Sequence, residues 1–419
     1  MADIVLPGAG AGDLLEATWR DHSRQVLATL IRLLRDFDLA EEAMHDAFLA
    51  AARRWPNTGT PTNPAAWLIS AGRYSAIDKM RRHSRFSRAQ SEIAHALHQE
   101  GEDIALDEFA IADDQLRLIF ICCHPDLPVD AQVALTLREA CGLTTEEIAR
   151  AYLTRTPTIA QRIVRAKARL KELGLPYELP EASELPGRIQ AILRVVYLVF
   201  NEAYSASSGP DLVRQDLSSE AIRLGRLLVR LLPDPEVCGL LALMLFHEAR
   251  RPARQTPGGD IVLLPDQDRT LWDQTLISEA AALVDRAFAG GVGPYGLQAA
   301  IAAVHIAAPD AAGTDWGNIL RLYDLLMEAA PSPVVRLNRA VAVHMLDGPM
   351  AGLAELEAAM ATGKLDDYAP AHGARAEMLC RAGRPDAARQ AYRQALFSCR
   401  QEPERRFLLR RLEELATSF

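Results

Sequence analysis

The sequence predicts an all-α protein, and three observations carry that prediction. The chain is rich in Ala, Leu and Arg, only 6% aromatic, and has few runs of β-branched residues, a composition that favours helix over strand. Apolar residues recur at i, i+3, i+4 and i+7, as at Leu27, Leu30, Ile31 and Leu34, which is the spacing of one buried helix face. The breaks between such stretches fall at clusters of Pro and Gly, where helices stop. A length of 419 residues allows two to four domains with cores of their own.

From Asp13 to about His83 the pattern predicts three or four helices. Asp38 to Trp55, DLAEEAMHDAFLAAARRW, starts acidic and ends basic, as the helix dipole prefers. Asp38, Glu41, Glu42 and Asp46 then share adjoining turns, a face that suits a basic partner or simply solvent; Phe48 is expected in the core. Pro56 to Pro64 is a turn-rich loop, and Ala65 to Arg82 forms the next helix. Trp67, Leu68 and Ala71 are expected to anchor it, with Arg73, Lys79, Arg81, Arg82 and Arg85 on or just beyond its exposed side and Asp78 as a helix-surface partner for Arg81 or Arg82. Residues 84–112 read as a linker. Its acids, Glu100, Glu102, Asp103, Asp107, Glu108 and, just beyond, Asp113 and Asp114, are either solvated or laid against the basic stretches. Gln115 to Arg138 adds two helices around His124-Pro125.

Leu143 to Lys171, LTTEEIARAYLTRTPTIAQRIVRAKARLK, predicts a short helix, a tight connection and a second helix. Thr145 is placed to cap the first, with Glu146 and Glu147 in its first turn. Ile148, Ala149 and Tyr152 supply its inner face, and Pro157 and Thr158 open the second helix. Ile159, Ile163, Ala166 and Leu170 face inward, leaving Arg162, Arg165, Lys167, Arg169 and Lys171 outside. This is the distribution of a helix-turn-helix, whose second helix enters the major groove of DNA, or else of an amphipathic helix on a solvated face. In the DNA reading, Thr158, Ala160, Gln161, Val164 and Arg165 face the groove. Gln reads adenine and Arg reads guanine by paired hydrogen bonds, while Arg162 and Lys167 hold phosphates.

Three prolines and several acids in GLPYELPEASELP mark a boundary at about Gly174 to Pro186. Helices are predicted beyond it at 187–206, 217–232, 236–250, 266–289, 294–308 and 315–330, with Pro257-Gly258-Gly259 at a loop or hairpin tip. From about Pro331 a weak repeat aligns Ala340 with Ala374. An Ala-rich helix follows each copy after a Gly-Pro or Gly-Arg-Pro break. A period near 34 is that of tetratricopeptide helix pairs, the alternative being a plain helical bundle.

Other signals exclude function classes. The net charge of −9 argues against nucleic acid for the chain as a whole. Its distribution answers the objection, since Arg155 to Lys171 holds bases and no acid. MADIVLPGAGAG lacks the features of a signal peptide, and no stretch approaches the roughly 20 apolar residues that span a bilayer. Six cysteines with no CxxC pair fit a reducing cytosol. Cys122-Cys123-His124 is expected to be core rather than a metal cluster. His247-Glu248 lacks a second His, which HExxH requires, because Arg251 stands there. Asp266, Asp268 and Asp273 are expected to cap helices. No nucleophile, phosphate-loop or dinucleotide motif is present, so neither catalysis nor a cofactor is expected.

Taken in order, three segments resemble the extracytoplasmic-function (ECF) sigma factors of bacterial RNA polymerase. These are DLAEEAMHDAFLAAARRW for region 2.2, NPAAWLISAGRYSAIDKMRR for regions 2.3 and 2.4, and LTTEEIARAYLTRTPTIAQRIVRAKARLK for region 4.2. They cover about the first 175 residues. FNEAYSASSG, LSSEAIRLGRLL, LFHEARRPAR and LLPDQDRTLWD resemble the helical extension, containing tetratricopeptide repeats, of one ECF subgroup. The resemblance implies region 2 over 13–85, an acidic linker over 86–112, region 4 over 113–175, a helical domain over 185–330 and tetratricopeptide-like pairs over 331–419. It also implies two partners, core RNA polymerase and promoter DNA. Asp38, Glu41, Glu42 and Asp46 would meet the β′ clamp helices, and region 4 the β flap. Arg73, Lys79, Arg81, Arg82, Arg85 and Phe86 would serve the minus-ten element, with His83 to Ser87 as a base pocket and Phe86 as a stacking surface. Thr158, Ala160, Gln161, Arg162, Val164, Arg165 and Lys167 would serve the minus-thirty-five element. Tyr74 replaces a common Asn and Ala160 a common base, so those two contacts depart from the family pattern. The extension implies a protein regulator. The alternative is a helix-turn-helix regulator with a helical sensor domain, which would need neither the acidic helix nor the Trp-containing basic one.

Overall fold

The structure, a computed structural model, describes residues 9–83, 108–152, 154–174, 177–181, 183–204, 215–232, 234–399 and 401–417. The expected linker falls largely outside them. The chain divides into two compact units, one of residues 1–150 and 154–195, the other of residues 151–153 and 196–419.

The first unit opens with α1 (Ala9–Leu34), α2 (Phe37–Thr58) and α3 (Pro64–His83). The Leu27, Leu30, Ile31 and Leu34 stripe is buried, as are Ala40, Ala43, Met44, Ala47, Phe48 and Trp55 of α2. Arg35 ends α1 at φ 53°, and Asp36 then caps α2 by accepting from the Asp38 and Leu39 amides. Leu68 and Ile69 are buried, and Trp67 packs edge-on to Trp55 with ring centroids 5.3 Å apart. A Cβ on Gly72 would lie 3.0 Å from both the Ala43 carbonyl and Leu30, so glycine there lets α3 sit close on α1 and α2.

Next come α4 (Glu108–Cys122), α5 (Val129–Leu135), α6 (Thr145–Ala151) and α7 (Thr156–Leu173). α5 runs into one π-turn, Thr136–Ala140, closed by the Cys141 amide on the Thr136 carbonyl at 3.0 Å. Cys122 and Cys123 are buried small hydrophobes, as expected. α8 (Leu185–Tyr204) follows, and the division between the units falls inside it. Its first half is tied to the first unit by Arg188, which donates to the Phe120 carbonyl at 2.7 Å.

The second unit continues with α9 (Gln215–Leu231), α10 (Pro235–Ala249), α11 (Gln274–Ala289), α12 (Pro294–Ala307) and α13 (Trp316–Ala329). The helix expected over 266–289 starts only at Gln274. Asp268 caps a short 3-10 turn through the Thr270 amide, and Asp273 caps α11 through the Thr275 and Leu276 amides. Two of the three expected acids cap, each a separate segment, and so divide the predicted helix, whereas Asp266 ends a 3-10 turn, Leu264–Asp266, that has no side-chain cap. Pro257 to Gly259 lies at the tip closed by an antiparallel bridge between Gln255 and Ile261. The chain ends in α14 (Pro333–Asp347), α15 (Pro349–Met360), α16 (Ala369–Arg381), α17 (Pro385–Ser398) and α18 (Glu402–Thr417). Gly348 (φ 93°) and Gly383 (φ 70°) turn the chain between the members of each pair. Ala340, Leu353, Leu356, Ala376, Ala388 and Tyr392 share the core beneath the two pairs.

Candidate nucleic-acid and partner interfaces

The helix-turn-helix is built as the sequence predicts, with one shift at its start. Thr144, not Thr145, caps α6. Its hydroxyl accepts from the Glu147 amide at 3.2 Å, while Glu147 Oε2 accepts from the Thr144 amide at 2.7 Å. The reciprocal pair is a capping box, and the glutamate three residues on selects Thr144 over its neighbour. Ile148 and Ala149 are buried beneath α6, and Ile159, Ile163, Ala166 and Leu170 beneath α7. Thr158, Gln161, Val164 and Arg165 are exposed, Val164 at 64%, and Ala160 is half-buried beside them. Arg162 leans on Asp130 at 3.0 Å. Lys167 differs from these, since its side chain is only 13% exposed.

On α3, Tyr74 and Arg81 are exposed. Arg73, expected on the outer side, is buried at 9%. The reason is periodicity: Arg73 stands four residues after Ile69 and four before Ile77, on the buried stripe that ends at Met80. Lys79 turns back onto α2, 2.8 Å from Asp46 and 3.1 Å from Glu42. Its hydrogen bond to Asp46 raises its pKa against the opposing effect of burial. Burial pushes Asp46 upward, yet its bonds from Lys79 and Ser75 leave it below the usual carboxylate value. The Arg82 side chain lies outside the described residues, as do Arg85 and Phe86.

The other two acids of α2 meet the helix-turn-helix half. Lys167 Nζ lies 3.1 Å from Asp38 Oδ1 and 3.5 Å from Glu41 Oε2. It also lies 3.1 Å from Glu139 Oε1, whose side chain is 1% exposed, and 5.6 Å over the Phe37 ring. Arg138 pairs with Glu41. One turn further along α7, Lys171 pairs with Asp36 at 2.9 Å. Burial lowers the Lys167 pKa, but the charges of Glu139 and Glu41 outweigh it and hold the ammonium above its ordinary value. Burial raises Glu139, and Lys167 offsets only part of that. Neither Glu139 oxygen accepts a well-aligned hydrogen bond, so its tie to Lys167 is mainly electrostatic. Arg138 and Glu139 were not singled out from the sequence. Their signal was a lone charged pair inside the apolar run AQVALTLREAC, and the π-turn that carries them has no sequence signature.

Among the described residues no group of His, Cys, Asp and Glu is arranged to hold a metal ion, and no helix is long and apolar enough to cross a membrane. His247 is half-buried on α10, where desolvation drives its pKa down to about 3 and leaves the ring neutral.

An acidic helix beside a basic one is thus followed by a helix-turn-helix with an exposed outer face. Residues 18–86 match the family model Sigma-70 region 2, and residues 117–170 match Sigma-70, region 4. The chain therefore carries Sigma-70 region 2 and region 4 domains, is homologous to ECF sigma factors and continues into a C-terminal helical extension. Residues 188–288 of that extension match a family of unknown function, DUF6596. The uncharacterized protein R00370 of Rhizobium meliloti is 45% identical over 94% of this chain and 93% of its own length. The ECF RNA polymerase sigma factor SigK of Mycobacterium ulcerans is 28% identical over 35% of this chain and 79% of its own length. The RNA polymerase sigma-H factor of Pseudomonas aeruginosa is 27% identical over 35% and 78%. No solved structure matches the chain.

Proposed function

We infer that this protein is an ECF-type sigma factor that binds core RNA polymerase and directs promoter-specific initiation. The observation that carries this is the ordered pair of sigma regions, 2 then 4, with an exposed, acid-free reading face on α7. Its work is binding rather than chemistry, and its compartment is the cytosol, where polymerase is. Asp38, Glu41, Glu42 and Asp46 dock on the β′ clamp helices, and region 4 reaches the β flap. Lys79, Arg81, Arg82 and Arg85 attract phosphates near the minus-ten element, and Phe86 stacks on an extruded base. Arg73, being buried, supports α3 from within. Gln161 and Arg165 read base edges of the minus-thirty-five element, flanked by Thr158, Ala160 and Val164. Region 2 spans 13–85, the linker 86–112 and region 4 113–175. The domain over 185–330 and the tetratricopeptide-like pairs over 331–419 form a control module that takes a protein regulator. Run-off transcription with purified core enzyme tests the function: initiation at defined upstream sequences is expected, and neither core binding nor initiation at any sequence overturns it. Removal of residues 196–419 tests the control module through the sign of the activity change, and unchanged activity removes it.

A further inference from the structure

We propose that the second unit holds a binding site for a small zwitterion, a ligand with an ammonium at one end and a carboxylate at the other. The site is a cavity of about 840 Å³ between the end of α10, the hairpin that follows it and the last helices of the chain, a size ordinary for small-molecule sites. Three stretches singled out in the sequence, far apart in the chain, meet there. Asn201 comes from FNEAYSASSG, Arg250 and Arg254 from LFHEARRPAR, and Leu263, Leu264 and Gln267 from LLPDQDRTLWD. None of the three stretches has a place in the proposed DNA or polymerase contacts.

The walls of the cavity carry opposite charges. On the α10 side stand Arg250 and Arg254. Arg250 is 7% exposed, its Nε donates to Gln267 Oε1 at 3.3 Å, and its guanidinium lies 5.9 Å over the Trp272 ring. The charges of both arginines add to desolvation in holding His247 neutral, so their field reaches neighbouring side chains rather than being lost to water. This wall suits a carboxylate, which a guanidinium binds through paired hydrogen bonds.

On the α18 side stand Glu404 and, just before α16, Asp367. Glu404 is half-buried, and its one side-chain partner among the described residues is the Cys399 thiol, which donates to it at 3.4 Å. Burial raises the Glu404 pKa, and no cation beside it opposes the rise. A carboxylate set in a cavity wall without a base costs free energy, which a ligand cation would offset. Tyr197, Tyr368 and Phe407, one turn on from Glu404, line the same cavity, and Tyr368 feels first its own burial and then the charge of Glu404. Aromatic faces beside a carboxylate form a receptor for an alkylammonium. A simple amine or a simple carboxylate would satisfy one wall and meet like charge on the other, whereas a zwitterion satisfies both.

The hairpin tip joins the two walls. Asp260 pairs with Arg406 at 3.3 Å and with Arg410 at 2.6 Å, and Arg406 donates to the Gly259 carbonyl at 2.9 Å. A ligand held by both walls ties α10 to α18 across the same gap and stabilises the extension by mass action. It adds a small-molecule input to the control module, but its binding does not depend on the sigma reading.

Ligand-observed NMR titration of the full chain tests the site with three probes. These are ε-aminocaproate, which carries both charges, and hexanoate and hexylamine, which carry one each. The zwitterion is expected to bind with a Kd of about 1 mM or tighter, and about tenfold more tightly than either control, the scale of one charge-assisted hydrogen bond. Glu404→Gln, nearly isosteric, is expected to weaken ε-aminocaproate about tenfold and to leave hexanoate unchanged or tighter. Arg254→Gln is expected to weaken ε-aminocaproate and hexanoate and to spare hexylamine. An unsubstituted chain that binds none of the three, or binds either control as tightly as ε-aminocaproate, overturns the site. Variants that weaken all three probes alike overturn it too. Transcription is not the readout, so failure of the sigma reading leaves this result standing.

Discussion

α2 and α7 carry the two contacts proposed for polymerase and for DNA, and the structure treats them differently. The groove face of α7 is open, with Gln161, Val164 and Arg165 exposed. On α2 each of the four expected docking acids has a base from the same chain: Lys167 on Asp38 and Glu41, Arg138 on Glu41, and Lys79 on Glu42 and Asp46. The difference teaches that, of the two proposed contact faces, the one on α7 is open while the one on α2 is already engaged by bases of the same chain. Two of the bases expected at DNA, Lys79 and Lys167, are engaged in the same contacts.

The largest break in that comparison should come from Asp38→Lys with Glu42→Lys. These changes remove one ion-pair partner of Lys167, Asp38, together with the proposed docking charge, so the seam of ion pairs between α2 and the helix-turn-helix half should loosen and the chain should still bind core poorly. A loss of about 2–3 kcal/mol in core binding is expected, as for charge pairs at protein interfaces, measured by competition against a labelled sigma factor. On α7, Arg165→Ala should cost about 1–3 kcal/mol of discrimination at one base pair. Arg162→Ala should instead weaken binding to all sequences alike and lower the salt slope by about one. Equal effects of the two on specific and random DNA would remove the groove assignment.

Smaller effects concern what positions the two helices. Thr144→Ala removes the cap of α6 and should cost about 1 kcal/mol in denaturant unfolding of the first unit. Acid should loosen the seam. Burial pushes Asp36 upward, but its bonds from Lys171 and from the Leu39 and Asp38 amides hold it below the usual value. A depressed carboxylate contributes stability above its unfolded pKa and loses it as pH falls through the folded one. The distance between fluorophores placed at Leu49 of α2 and Glu172 of α7, both exposed, should therefore be flat above about pH 5 and lengthen below about pH 4. A seam that tightens in acid would contradict the role of Asp36.

Much of this was legible in the sequence because helix faces are periodic. Ile159, Ile163, Ala166 and Leu170 are buried as their spacing requires, and Cys122 and Cys123 are core. The cap of α6 was placed one residue late because two threonines stand side by side, and only the reciprocal bond to Glu147 separates them. Residue type alone predicts Arg73 on the outer side, although its register with Ile69 and Ile77 puts it inside. The seam was not legible. It depends on pairs more than 90 residues apart, such as Arg138 with Glu41 and Lys167 with Asp38, and local spacing carries no information about such partners. Even so, Asp38, Glu41 and Lys167 carry a signal in the sequence, one that points to polymerase or DNA rather than to each other.

Lysine footprinting of the unmodified chain, read by mass spectrometry, tests most directly the central claim that α2 is engaged by bases of the same chain. Lys167 should be protected from an amine-reactive reagent while Lys171, 76% exposed, reacts. A Lys167 that reacts as readily as Lys171 would contradict the account.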